Sequence, residues 1–325
     1  MNVAIIGCGG MGHMHARMAA NAGLKVVVCG DKFKRKADAL AKKFDAAASD
    51  DCMEVITRPD VDIVAIATPT PVHTQYVVAA AEAGKHVFCE KPFGRTVHQC
   101  KEAIAAVKKA GVRLFVGHVV RYFQEFEAIK AQVDAGKIGR VGFIRTYRGG
   151  IMPEGEEMWF RDYDQSGGVT FDCVIHDLDW LRYMFGDVDH VFSQHLQRST
   201  PETMDYSQTT LRMKSGVIAN VIGTWAHPSG FRVKTELCGE SGMIQYDSAE
   251  SPIHAMSRGN AGAGPGMIVP SSPVPVSPYQ LEWEDFVAWL YEEREPRVTA
   301  HDALEAVRIG LAALQSAESG KPVFL

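Results

Sequence analysis

Three groups of residues in this chain have types and spacings suited to chemistry. The first is Gly7-Cys8-Gly9-Gly10-Met11-Gly12, followed after a further apolar run by Asp31. A chain that leaves a strand, turns on glycines, enters a helix and reaches an acid at the end of a second strand has the order of a dinucleotide fingerprint. Gly7 permits the tight turn, Gly9 lets backbone approach a pyrophosphate, and Gly12 lets the helix pack close to the sheet. The helix N-terminus offers N–H groups and partial positive charge to phosphates, and Asp31 would accept hydrogen bonds from a ribose. The second group is Glu90-Lys91-Pro92-Phe93-Gly94. It places an ammonium at a strand end, facing the crevice where a nicotinamide would lie; an oxidised nicotinamide is a like charge and would lower the lysine pKa from about 10.4. The third is the run from Gly167 to Asp179, in which Asp172 and His176 are four apart. On one helix they would share a face. Asp172 could orient and charge-stabilise His176, whose intrinsic pKa of about 6.5 suits removal of a hydroxyl proton near neutral pH. A metal there would need a third ligand at a fitting spacing, and none is identified; no metal site is expected.

The elements that must position these groups follow from hydrophobic patterning. Short apolar runs at Val3–Ile6, Leu24–Cys29, Val61–Ala67, His86–Cys89 and Arg113–Val116 alternate with helical stretches at 34–44, 72–83 and 97–110. That rhythm predicts a doubly wound parallel sheet, an α/β Rossmann domain over residues 1–120. In such a sheet ligands bind outside the carboxyl ends of the strands. Thr68–His73 and Glu90–Gly94 both fall there. From residue 121 to 325 the pattern predicts an α+β substrate-binding domain with a mostly antiparallel sheet. Its expected parts are a helix at 123–135, strands at 141–147, 188–197, 206–214, 216–225, 232–239 and 242–247, and one helix over 168–185. Residues 257–278, rich in Gly, Pro and Ser, read as a long exposed loop. Helices at 280–293 and 302–319 close the chain and could pack back on the first domain.

His13 and His15 are two apart on a helix and point in different directions, so they are not a metal pair. His118, Arg121 and Tyr122 lie at the domain junction, where a substrate could sit. Trp159, Arg161 and Asp162 fall on a loop before Gly167 that could close over the cofactor, with Trp159 as a substrate contact. Lys32 and Arg35, just after Asp31, could meet an adenosine 2′-phosphate. Asp31 would repel one, so NAD is the expected cofactor, with NADP kept open by the two cations.

Composition narrows the function classes. The chain is 46% hydrophobic and 22% charged, with a formal charge of −5. A nucleic-acid partner needs a basic surface and is not expected. The seven cysteines form no CxxC pair and are odd in number, which points to a reducing compartment. The N-terminus runs straight into a strand with no basic leader, and no apolar run could span a bilayer. A cytoplasmic protein without membrane contact is the expectation.

The sequence resembles the Gfo/Idh/MocA oxidoreductases. The likeness runs through Gly7–Gly12 with Asp31, the TPxxxH stretch Thr68–His73, AGKHVFCEKPFG (Ala83–Gly94), SGGxxxDxxxHxxD (Ser166–Asp179) and the terminal SAESGKPVFL. The resemblance implies a Rossmann domain followed by a domain with a large open-faced antiparallel sheet. That face is commonly an oligomer interface, so a homodimer or homotetramer is implied. It also implies hydride transfer between a nicotinamide and a ring or sugar carbon. Lys91 would contact the reacting oxygen, and Asp172 and His176 match the acid–base pair of the inositol dehydrogenase branch. Thr68, Pro69, His73 and Glu90 would line the nicotinamide side. Two departures bear on substrate: Val120-Arg121 stands where inositol dehydrogenases tend to carry two arginines, and Tyr147 lies near where they tend to carry a histidine. The expected activity is oxidation or reduction at a secondary alcohol or ketone of a cyclic polyol or sugar. Two other readings stay open: a non-catalytic dinucleotide-binding regulator, and an enzyme that uses tightly held NAD transiently.

Overall fold

The computed structural model describes residues 1–196, 205–228, 230–250, 276–292 and 294–325. Nearly all of the loop expected over residues 257–278 lies outside the described residues, as does Gln197 at the end of one expected strand.

The first part of the chain runs β1 (Asn2–Ile6), α1 (Gly10–Asn21), β2 (Lys25–Gly30), α2 (Lys34–Ala41), β3 (Ala47–Ser49), α3 (Cys52–Thr57), β4 (Ile63–Ile66), α4 (His73–Glu82), β5 (His86–Glu90), α5 (Val97–Ala110) and β6 (Leu114–Gly117). Among the described residues its strands form a six-stranded sheet in the order β3-β2-β1-β4-β5-β6, with every pairing parallel. The cause is visible in β1 and β4, which are almost wholly buried because helices cover both faces. Helix ends are set by local chemistry. Thr96 caps α5 by accepting the Gln99 N–H at 3.2 Å, and Gly111 closes it in the left-handed region at φ 68°.

The chain continues with α6 (Gln124–Asp134), β7 (Val141–Gly149), a 3-10 turn (Glu156–Arg161), α7 (Tyr163–Ser166), α8 (Gly168–Asp172), α9 (Ile175–Phe185), β8 (Val188–Leu196), β9 (Tyr206–Met213), β10 (Ile218–Thr224), β11 (Arg232–Gly239), β12 (Gly242–Asp247), α10 (Pro278–Glu292), α11 (Ala300–Ser319) and β13 (Val323–Phe324). Among the described residues the second sheet has the order β12-β11-β7-β10-β9-β8-β13; β7 and β10 pair parallel and the rest antiparallel. The chain divides into two compact units, Met1–Val119 with Val276–Leu304, and Val120–Pro275 with Glu305–Leu325. All seven cysteines are free thiols. No helix among the described residues is long and apolar enough to cross a membrane.

In the second unit the strands alternate. Ile144, Thr146 and Arg148 of β7 are buried while Gly142 and Arg145 are exposed. The inward apolar residues Ile144, Val191, Leu211, Val221 and Leu237 share one core with Leu178, Trp180 and Leu181 of α9 and Ile309 of α11. Two buried ion pairs bound that helix. Arg148 Nε and Nη2 donate to Asp177 Oδ2 and Oδ1 at 2.6 and 3.3 Å. Arg121 Nε and Nη2 donate to Asp179 Oδ2 and Oδ1 at 2.8 and 2.6 Å, with the guanidinium 4.5 Å from the Tyr183 ring centroid.

The single helix expected over 168–185 is two. The Cys173 and Val174 N–H groups both donate to Val169 O, at 3.0 and 2.9 Å. One extra residue is thereby inserted and the helical register is lost. Val174 is pressed onto β10 at the break: a Cβ on Gly223 would lie 2.2 Å from Val174 Cγ2.

Removing one partner of a buried ion pair strands the other charge. Arg148→Met should therefore cost about 3–5 kcal/mol of unfolding free energy, and adding Asp177→Leu should recover most of it. Denaturant midpoints of the single and double variants measure both effects.

Candidate active site

The glycine turn is built by exclusion of side chains. A Cβ on Gly12 would lie 1.9 Å from Gly7 O, and one on Gly7 would lie 2.6 Å from the Ala67 carbonyl, where Gly7 also has φ +89°. α1 therefore sits against the turn closely enough that only glycine fits at either position. Gly9 and Gly10 differ, since a Cβ on either would meet nothing within 4 Å. Gly9 precedes α1 with no side-chain cap, and the first turn of α1 holds no acidic residue. Its leading N–H groups are thus presented at a positive helix end, which is the donor set a pyrophosphate requires. Asp31 ties the turn to the end of β2: Oδ2 accepts the Cys8 N–H at 2.7 Å and Oδ1 accepts the Phe33 N–H at 2.9 Å. A carboxylate has about four acceptor positions, so capacity for ribose hydroxyls remains. Lys32, Arg35 and Lys36 gather at 5.0, 5.6 and 5.3 Å from the Phe33 ring centroid. The residues fit a dinucleotide.

The expected strand-end residues share the same unit. After β4, the Thr68 carbonyl faces His73 Nε2 at 2.7 Å, and His73 Nδ1 faces the Pro92 carbonyl at 2.8 Å. One imidazole thus bridges the segment after β4 and the one after β5. Burial holds the His73 pKa below its ordinary value, against the pull of those two carbonyls. Lys91 directly follows Glu90, the last residue of β5, and its backbone N–H donates to Glu90 Oε2 at 3.0 Å. Phe93 is fully buried, and a Cβ on Gly94 would lie 2.7 Å from Thr74 Cγ2, so the turn carrying Lys91 is anchored from below. His118 is wholly buried one residue beyond β6.

In the second unit, buried Asp172 ends α8 and half-buried His176 opens α9. They do not share one regular helix face, as the break at Cys173–Val174 lies between them. Each segment has its own anchors. At the start of α8, Ser166 Oγ accepts the Gly168 N–H at 3.1 Å and Asp205 Oδ2 accepts the Val169 N–H at 3.0 Å. Thr170 Oγ1 lies 2.8 Å from His195 Nε2, and burial pushes the His195 pKa down to about 4, so that ring is neutral. α9 is held by the Arg148 and Arg121 pairs on either side of Leu178. Arg121 is therefore committed to Asp179 through two of its nitrogens. Trp159 stands on a 3-10 turn rather than an open loop, its ring 3.9 Å from that of Phe160. Among the described residues no group of three or more His, Cys, Asp or Glu could hold a metal.

A family model described as "Oxidoreductase family, NAD-binding Rossmann fold" matches residues 1–118, and the GFO/IDH/MocA C-terminal domain matches residues 126–245. The chain belongs to the Gfo/Idh/MocA family. It is 30% identical to scyllo-inositol 2-dehydrogenase (NAD(+)) of Bacillus subtilis (strain 168), across 99% of this chain and 95% of that protein. It is 29% identical to myo-inositol 2-dehydrogenase of Thermotoga maritima, across 100% of this chain and 98% of that protein. In fold it is similar to the crystal structure of GenD2 from gentamicin A biosynthesis in complex with NAD. The TM-score is 0.89 at 24% identity, covering 100% of this chain and 96% of that one. The protein is thus a Gfo/Idh/MocA oxidoreductase with an NAD-binding Rossmann domain.

For this family member, sequence reasoning missed His15, Trp283, Arg148 and the anchors of α8. Two carried a readable signal. His15 falls on the apolar face of α1 with Gly12, Ala16 and Ala19, and Arg148 falls at the inward parity of β7 with Ile144 and Thr146. A charged or polar side chain at an inward position asks for a partner. Asp205 and Trp283 could not be matched to their partners from spacing alone.

Asp205 supplies a test with a definite sign. Burial pushes its carboxyl up to about 6, against the Val169 N–H bond that pulls it down. Between the unfolded value near 3.9 and about 6, the folded chain holds a proton that the unfolded chain has released. This group's contribution is therefore fully present below pH 4 and lost as pH rises through 6. Asp205→Asn should flatten that part of the stability–pH curve, as followed by thermal melts from pH 4 to 7.

Proposed function

We propose that this protein is an NAD-linked dehydrogenase or reductase acting on a secondary alcohol or ketone of a cyclic polyol or sugar, with inositols as the first substrate class to test. The observation that carries the reading is full-length similarity to an NAD-linked scyllo-inositol dehydrogenase, in a chain that carries Lys91 in Glu90-Lys91-Pro92 and the spaced pair Asp172 and His176. When bound, the nicotinamide supplies the hydride acceptor at the carbinol carbon. His176 takes the hydroxyl proton in the oxidative direction and returns it in the reductive one. Asp172 supports the charge that His176 acquires. Lys91 donates a hydrogen bond to the oxygen as carbonyl character develops. Thr68, Pro69, His73 and Glu90 hold the nicotinamide side, while His118, Arg121 and Trp159 contact substrate.

The substrate is argued from hydroxyl recognition. A site that hydrogen-bonds each hydroxyl rejects analogues sharply when a partner is missing. Val120 in place of a second arginine, and Tyr147 in place of a histidine, therefore alter which polyol is accepted more than how it is oxidised. Asp31 favours NAD because a carboxylate repels a 2′-phosphate.

Lys91→Ala or His176→Ala should lower kcat by about a thousandfold or more while leaving the dissociation constant for NAD within about threefold. Stopped-flow cofactor reduction and fluorescence titration read the two quantities. Normal turnover in both variants would sink the mechanism, and no turnover across inositols, aldoses, sugar phosphates and nucleotide sugars would sink the substrate class. A second comparison concerns cofactor choice: NAD should bind more tightly than NADP, and Asp31→Asn should narrow the gap by roughly tenfold through loss of the repelling charge.

A further inference from the structure

One imidazole in the first unit has a fixed tautomer and no task in the mechanism above. His15 on α1 is completely buried, and its Nδ1 lies 3.0 Å from the indole Nε1 of Trp283 on α10. An indole N–H can only donate, so Nδ1 must offer its lone pair. The ring proton therefore sits on Nε2, which lies 2.7 Å from Glu90 Oε1 and donates to it. Glu90 Oε2 accepts the Lys91 N–H at 3.0 Å. Both carboxylate oxygens are thus occupied as acceptors, which favours the ionised form. Burial pushes the Glu90 pKa up, and the His15 bond together with the neighbouring Lys91 and His73 side chains brings it below the usual carboxylate range.

The chain is held stiffly. The Trp283 indole stacks on Phe88 of β5 at 4.5 Å and 6°, and the Phe286 ring stands edge-on to it at 5.9 Å. A second buried acid lies close by. A Cβ placed on Gly117, at the end of β6, would be 3.7 Å from Glu90 Oε1 and 3.6 Å from Glu282 Oε1. Glu90 and Gly117 are register partners at the carboxyl ends of β5 and β6, the edge of a doubly wound sheet where ligands sit.

We infer that Trp283 and His15 are positioning residues that hold Glu90 as a fixed anion behind Lys91, and that this anion shifts the protein's cofactor preference toward the oxidised nicotinamide. The inference rests on the dinucleotide reading of the first unit and not on the polyol chemistry. An oxidised nicotinamide ring carries a positive charge and a reduced one does not. A preoriented carboxylate in a low-dielectric setting therefore stabilises one redox form selectively.

The test is equilibrium binding of NAD and of NADH to the full chain, with no substrate present. Glu90→Gln keeps the shape and removes the charge; it should weaken NAD by about tenfold and leave NADH within about twofold. Trp283→Phe keeps the stacked ring and removes the N–H that sets the His15 tautomer. It should move the NAD to NADH ratio of dissociation constants in the same direction by a smaller factor. Phe286→Leu disturbs the aromatic cluster without touching the hydrogen bonds and should leave the ratio unchanged. Equal weakening of both cofactors, or no change in the ratio, in Glu90→Gln and Trp283→Phe would overturn the inference. Should Glu90→Gln fail to fold, the Trp283→Phe ratio decides. Failure of every polyol as a substrate would overturn the proposed function and leave this binding result standing.

Discussion

A carboxylate taken out of water has to be given donors, and in this protein that requirement fixes the segments proposed to carry the chemistry. Asp31, Glu90, Asp177 and Asp179 are all buried. Each is answered from a distant part of the sequence: Asp31 by the Cys8 N–H, Glu90 by His15, Asp177 by Arg148 and Asp179 by Arg121. Magnitudes separate these from the surface pairs. Arg140–Glu240 and Lys130–Asp134 lie at the surface, where solvent and salt screen them. Breaking either buried arginine–aspartate pair costs about 3–5 kcal/mol because a bare charge is left behind. The buried pairs therefore decide local geometry. The glycine turn is locked to β2, Lys91 to the end of β5, and α9 to β7 and to the chain preceding α6.

The same constraint explains how α8 and α9 can be separate segments without becoming loose. A continuous helix would fix Asp172 and His176 relative to each other through its backbone alone. The break removes that link, and side-chain bonds replace it on each side: Ser166, Asp205 and His195 for α8, Arg148 and Arg121 for α9. At the break Val174 occupies the space that Gly223 leaves empty on β10, so a side chain at position 223 would collide with the chain between the two helices.

These facts also mark what the sequence could reveal. The glycine motif, Asp31, the parallel sheet and Lys91 at a strand end were legible because each depends on short-range order: glycine, strand, turn and helix follow one another in the chain. The alternating strands of the second unit were legible for the same reason. β3 and α3 escaped because three and six residues are too few to display a period. The break at Cys173 escaped because the strand that Val174 packs on there, β10 at Gly223, is far away in sequence. His15 was passed over although it is a polar residue on an apolar helix face, and its partners Glu90 and Trp283 are joined to it only by the fold.

The histidines show how burial sorts one side chain into several roles. His195, packed among Thr170 and Ser193, has its pKa pushed down to about 4 and serves as a neutral hydrogen-bonding ring. His15 is fixed in one tautomer by a donor that cannot accept. His73 faces two carbonyl oxygens, which only an imidazolium could satisfy together, while its burial opposes that charge; one contact is thus held by packing rather than by a donated proton. His195 and His73 are not placed to gain a proton cheaply, since each would have to charge without water. His176 is half-buried, on a helix whose neighbouring acids are already committed to arginines. Asp177 and Asp179 are thereby kept from competing for it. A proposed proton acceptor needs that combination: a fixed backbone, enough solvent to carry a transient charge, and adjacent carboxylates spoken for by other cations.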